Sequence, residues 1–140
     1  MKKLFFIFVA LGVLVLATFA LEANASSAKK QRATMRFDKA ITVHGVVLTP
    51  GQYLFVHDDA AMARGDACTL IYKGDTATPS KLVVSFHCTP AERTKVTHFV
   101  TRSTEKPGGV VELLEFQFKG DTEAHAVLTS IDAHVNHVDP

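Results

Sequence analysis

With 15 lysines and arginines against 14 aspartates and glutamates over 140 residues, the chain is long enough for one modest core and too evenly charged to present a basic face to nucleic acid. Two cysteines are too few for a disulfide-rich scaffold. The absence of tryptophan leaves few exposed aromatic platforms of the kind that stack on sugars.

Met1-Lys2-Lys3 is a short basic start, and Leu4 to Leu21 is an almost unbroken apolar run. Ala23-Asn24-Ala25 then places small residues where signal peptidase reads them. This layout predicts a secretory signal peptide over 1–25. A retained anchor is the competing reading, since the run is just long enough to span a bilayer. The positive charges of Lys29, Lys30 and Arg32 beyond the run oppose it. Cleavage would remove Lys2, Lys3 and Glu22 and leave basic and acidic residues equal in number. Export, periplasmic or extracellular, is therefore expected, with no membrane attachment after cleavage.

Residues 26–32 read as a polar N-terminal segment, and 33–131 as a single β domain. Ala33–Asp38 and Lys39–Val43 form one or two short strands, and Val46–Leu48 follows. Thr49-Pro50-Gly51 turns the chain, with proline setting φ and glycine allowing a positive φ. Gln52–His57 is a strand, and Asp58–Ala67 is a loop with room for one helical turn. Cys68–Lys73 and Lys81–Cys88 read as a hairpin in which Cys68 faces Cys88, Leu70 faces Phe86 and Tyr72 faces Val84. Thr94–Ser103, Val110–Phe118 and Ala124–Ile131 complete the strands, and 132–140 is a polar, histidine-bearing tail. No segment holds a sustained helical period. The fold class expected is all-β: an antiparallel immunoglobulin-like sandwich, or small barrel, of seven to eight short strands. Its core should come from Phe37, Ile41, Val47, Tyr53, Phe55, Leu70, Val84, Phe86, Phe99, Leu114, Phe116, Val127 and Leu128.

An oxidising compartment makes a Cys68–Cys88 disulfide the default. Its loop would stabilise the fold by about 3 kcal/mol in the chain-entropy model. No Cys-x-x-Cys motif points to a redox thiol pair.

Catalytic signatures are missing. There is no Gly-x-Ser-x-Gly elbow, and Gly108-Gly109 precedes no helix that could cradle phosphate. Ser85 and His87 share a strand face only as any i, i+2 pair does. Glu112 and Glu115, three apart on a strand, should lie on opposite faces and make a poor carboxylate pair. No catalytic residue is assigned. The seven histidines are an excess. Asp121, Glu123 and His125 alternate along one face of an extended segment, with oxygen and nitrogen donors suited to zinc, copper or manganese. His134 and His137 follow in the tail. If a metal is held, zinc or copper on His125, His134 and His137 with Glu123 and Asp121 is the set the spacing favours; otherwise no cofactor is expected. His44, His57, His87 and His98 fall on separate strands, and the spacing leaves their convergence open.

The stretch Val46-Val-Leu-Thr-Pro-Gly-Gln-Tyr-Leu-Phe55 resembles the leucine, proline-glycine, x, tyrosine turn of many secreted bacterial β-sandwich domains. There the leucine and tyrosine pack inside while Pro-Gly reverses the chain. Ala67-Cys68-Thr69, Ser85-Phe-His-Cys88 and Glu115–His125 extend the likeness to small secreted bacterial β-sandwich proteins of uncharacterised function. The resemblance implies a fold and a compartment and transfers no active site. The leading expectation is an exported, non-catalytic binding or structural module that meets an unknown protein or its own copies through edge strands. A periplasmic copper- or zinc-binding protein is the first alternative, and a metal-dependent enzyme the second.

Overall fold

The structure is a computed structural model that describes residues 28–128. The expected signal peptide, and His134 and His137, lie outside the described residues. Ten strands follow one another: β1 (Lys30–Phe37), β2 (Ile41–Val43), β3 (Val46–Leu48), β4 (Gly51–Asp58), β5 (Thr69–Lys73), β6 (Leu82–Phe86), β7 (Cys88–Glu92), β8 (Val100–Lys106), β9 (Val110–Gln117) and β10 (Glu123–Val127). One short α-helix, α1 (Asp59–Ala63), and a single 3-10 turn at Pro79–Lys81 interrupt them among the described residues. The Asp58 carboxylate caps it by accepting from the amides of Ala60 and Ala61 at 3.0 and 3.4 Å, which meets two of the orphan donors of a helix start.

The strands form two sheets and no closed barrel. One runs β1-β4-β5-β6, all antiparallel. The other runs β3-β2-β9-β10-β7, with β8 on the other flank of β9 and a single parallel contact between β2 and β9. This is a sandwich-like all-β fold. Between the sheets lie Tyr53 and Phe55 of β4, Ile71 of β5, Val84 and Phe86 of β6, Leu113 and Phe116 of β9, Phe118 and Val127. Burying each large side chain contributes about 1.5–3 kcal/mol. Phe55, Phe99, Phe116 and Phe118 form one aromatic stack with ring centroids 5.2–6.3 Å apart.

One strand, β7, was hidden by its composition, and another, β1, starts earlier than expected. β7 contains Pro90, which reads as a strand breaker, but β7 lies at the sheet edge, where a missing N–H costs no ladder bond. β1 begins at Lys30, inside the segment expected to be merely polar. Its residues alternate between exposed and half-buried, as suits an edge strand carrying lysine and arginine. β8 starts at Val100, later than expected.

The cysteine hairpin pairs differently from the expected register. Thr69 faces Phe86, Leu70 faces Ser85 and Ile71 faces Val84, with an irregularity before Tyr72. A slip of one residue exchanges the faces of a strand, so Ile71 is buried and Leu70 is only half-buried. Val47, Leu114 and Leu128 are exposed rather than core, and Val43, Leu48, Leu54, Val56, Leu113 and Phe118 are buried in addition to the residues expected. The Leu114 result has a clear cause. Arg102 pairs with Glu115 but Ser103 pairs with Leu113, leaving Leu114 as an extra bulged residue. That bulge resets the phase of β9. Leu113 and Phe116 both point inward, so Glu112 and Glu115 share the opposite face, contrary to simple alternation. Neither is free. Glu112 pairs with Lys106, and Glu115 holds Arg93 in a two-point bond at 2.7 and 3.1 Å and Arg102 at 2.7 Å. Hydrogen bonding from Arg93, working against burial, keeps the Glu115 carboxyl below its usual range.

The turn motif packs as its resemblance implies: Leu48 and Tyr53 are 1% exposed, and the Tyr53 hydroxyl donates to the Thr49 carbonyl at 2.8 Å. Between β2 and β3, His44 and Gly45 take φ of 48° and 80°, the pattern of a two-residue type I′ hairpin. A Cβ on Gly45 would meet no atom within 4 Å, so only its backbone conformation resists substitution. Gly45→Ala should therefore cost about 1 kcal/mol, read as a lower urea midpoint with an unchanged slope. An unshifted midpoint would show that this hairpin does not depend on the left-handed residue.

Candidate metal centre

Three elements bring side chains to one point between the sheets. On β4, His57 is in phase with Tyr53 and Phe55, so it points inward with them and is fully buried. On β10, His125 is in phase with Val127, and 1% of its surface is exposed. Cys88 opens β7 directly after β6 ends at Phe86. The one intervening residue, His87, carries the chain from the first sheet to the second. Cys88 therefore sits opposite Val127, and His125 sits opposite Pro90, two positions along. Diagonal neighbours on one face of adjacent strands are within reach of each other.

The Cys88 sulfur lies 3.7 Å from His57 Nδ1 and 3.6 Å from His125 Nδ1, and all three donor atoms fall within 4.8 Å of one another. The imidazole centroids are 4.1 Å apart. Metal–sulfur and metal–nitrogen bonds of about 2.3 and 2.0–2.1 Å, at angles between tetrahedral and trigonal, separate sulfur from nitrogen by about 3.6–3.8 Å. The two observed sulfur–nitrogen spacings thus match those around one ion shared by sulfur and imidazole.

The tautomer of His57 follows from its partners. Its Nε2 lies 2.9 Å from Asp59 Oδ1. A carboxylate only accepts, so Nε2 carries the proton and the Nδ1 lone pair faces Cys88. Asp59 at the start of α1 thus orients the His57 ring, the arrangement that an outer partner gives to a histidine able to hold a metal. The Thr69 hydroxyl, 3.5 Å from the same Nδ1, completes the surroundings of the ring. His125 is held differently. It stacks on Phe116 at 5.0 Å and meets Phe118 edge-on at 5.7 Å, while its Nε2 is buried with no hydrogen-bond partner.

Burial works against charge on two members of the cluster. Burial, reinforced by the facing His57, pushes His125 down to about 4. Burial also pushes the Cys88 thiol up to about 12. One thiol proton then faces two nitrogen atoms and can bond to only one at a time. A cation that replaces that proton engages both nitrogens and the sulfur together.

Cys68 borders the cluster from the other sheet. Its sulfur is 3.2 Å from the Cys88 sulfur, and both cysteines are unbonded and buried. The pair does not meet as opposed residues of a hairpin, as the sequence suggested. It meets across the sandwich, because β6 ends one residue before Cys88.

Of the expected metal set, His134 and His137 lie outside the described residues, and of Asp121, Glu123 and His125 only His125 is in this centre. Asp121 lies before β10 and turns toward the N-terminal strand, where it bonds Lys29 and, at 2.5 Å, Gln31 Nε2. Burial works to raise its carboxyl, but these hydrogen bonds outweigh it and hold it below the ordinary value. Glu123 is in phase with His125 but lies at the exposed start of the strand, paired with Glu92. Ser85 and His87 are exposed. His44 stacks on Phe86 at 5.6 Å and bonds the Leu128 carbonyl at 3.1 Å. Sequence reasoning missed His57 and Cys88 as partners of His125. The available signal was phase: each lies an even number of residues from a neighbour expected in the core, namely Phe55, Phe86 and Val127.

A histidine whose folded pKa lies near 4 is neutral in the fold and protonates first in the unfolded chain. Its stabilising effect is complete above about pH 6.5 and is lost as pH falls toward 4. For the metal-free protein the loss should reach about 3 kcal/mol, measured by urea unfolding between pH 7 and 4. His125→Phe should flatten that dependence, and an unchanged slope in the variant would assign it to other groups. Comparison with protein families, characterised proteins and solved structures returns no match for this chain.

Proposed function

We propose that this chain is an exported, non-catalytic binding module whose ligand is one zinc or copper(I) ion, held by His57 Nδ1, His125 Nδ1 and the Cys88 thiolate. The observation that carries this reading is the 3.6 and 3.7 Å approach of two imidazole nitrogens to one buried sulfur. Thiolate with imidazole is a soft-to-borderline donor set, which suits zinc and copper(I) and disfavours magnesium and calcium. The Asp59–His57 bond supplies the outer support that such ligands usually have. None of the three donors is more than 8% exposed, and closed sites hold a metal where open ones turn over substrate. Export rests on the N-terminal sequence pattern. The sandwich is read as immunoglobulin-like from its two facing, mainly antiparallel sheets. Self-association through strand edges is not advanced, because β1 carries Lys30, Arg32 and Arg36 and β7 carries Pro90, features that oppose edge pairing.

The test is metal titration of the reduced exported protein. One equivalent of zinc or copper(I) should bind. Cys88→Ser and His125→Ala should each weaken binding by about 100-fold or more, and Asp59→Asn by about 10- to 100-fold. Replacing both His134 and His137 by alanine should leave affinity unchanged. Loss of binding in that double variant, with Cys88→Ser still loading normally, would move the metal to the C-terminal histidines and overturn this assignment.

A further inference from the structure

Cys88 belongs to two groups at once. Its sulfur lies within 4.8 Å of both histidine donor atoms, and it touches the Cys68 sulfur at 3.2 Å. A sulfur committed to a disulfide cannot also be a thiolate ligand. We propose that Cys68 is a resolving cysteine that makes the metal centre a redox gate. The reduced protein holds the ion, and oxidation to a Cys68–Cys88 disulfide releases it. This rests on the metal reading above and adds the control of that same site.

The geometry fits both states. Closing the sulfur contact to a bond of about 2.05 Å needs a shift of only about 1 Å. The cysteines stand on opposite sheets, so this motion draws the Cys88 sulfur toward the first sheet and away from His125 on the second. The Cys88 amide lies 3.4 Å from the Cys68 sulfur, a donor aimed at the sulfur that has no histidine partner. Access is graded as well: Cys68 is fully buried, whereas Cys88 is 8% exposed on a strand at the sheet edge. Cys88 is thus the less enclosed residue of the pair.

The reaction balances with a disulfide oxidant R–S–S–R. The Cys88 sulfur attacks one sulfur of the oxidant as its thiol proton passes to a facing imidazole nitrogen, forming a mixed disulfide and expelling RS⁻, which takes up that proton. The Cys68 sulfur then attacks the Cys88 sulfur, losing its own proton to the second RS⁻ expelled. The two protein thiols lose two electrons to the oxidant, and their two protons appear on the two RSH released. Bound metal withholds the Cys88 electron pair from the first step and so slows it.

The experiment uses the exported protein with zinc as the metal and glutathione disulfide as the oxidant. Intact mass gives the bridge as a loss of two hydrogens, and titration with a competing chelator gives zinc affinity. The bridged protein should bind zinc at least 100-fold more weakly than the reduced one, and dithiothreitol should restore binding. Zinc-loaded protein should bridge at least tenfold more slowly than the metal-free form. Cys68→Ser should bind zinc and retain it after oxidant treatment, with Cys68→Ala as the second variant should the hydroxyl itself disturb folding. Bridged protein that binds zinc within threefold of the reduced form would overturn the gate and leave the metal site standing. Reduced protein that binds no zinc or copper(I) would remove the metal reading and the gate with it, a result distinct from the first.

Discussion

The molecule turns on a single crossing. β6 runs inside the first sheet to Phe86, His87 spans the gap, and Cys88 begins a strand of the second sheet. A strand that stayed in one sheet would place Cys88 beside Ala67 at the hairpin's end. The crossing instead lowers its sulfur between the layers, where His57 arrives from one side and His125 from the other. The aromatic stack of Phe55, Phe116 and Phe118 then fixes how far apart the sheets stand, and with it the spacing of the two imidazoles.

Charge decides what this pocket can do. Burial drives His125 down and the Cys88 thiol up. The cluster is under-bonded, with one nitrogen of His125 lacking any partner. Exchanging the thiol proton for a zinc or copper(I) ion gives the sulfur and both facing nitrogens a common partner. Asp59 is the one acidic group in contact with a ligand histidine. Its side chain is 44% exposed, so it links the buried ring to solvent while fixing its tautomer. Gln117 contributes at a distance. Its amide donates to the carbonyls of Thr94 and Asp121 at 2.9 and 2.8 Å, pinning the turn that delivers β10.

Much of this was legible in the residues. Tyr53 and Phe55 were legible as core residues by alternation, and the buried Leu48 agrees with what the likeness of its turn to secreted β-sandwich domains implies. Other features were not legible because they depend on local departures from period two. The bulge at Leu114 exchanges the faces of β9 partway along, and nothing in Val110–Phe118 marks it. The one-residue shift at Thr69–Ile71 reverses the expected hairpin faces. Pro90 hides β7, since its tolerance depends on edge position, which is a property of topology. The meeting of His57, Cys88 and His125 was not legible either, because convergence across two sheets is invisible to spacing along one strand. Asp121 and Glu123 looked better placed than His57 only because sequence proximity stood in for contact.

The most direct measurement is X-ray absorption at the zinc edge of reduced protein loaded with one equivalent of the ion. The account predicts a shell with sulfur at about 2.3 Å and two imidazole nitrogens at about 2.0–2.1 Å, the sulfur disappearing in Cys88→Ser. A shell of nitrogen and oxygen alone, with no sulfur in the unaltered protein, would contradict it.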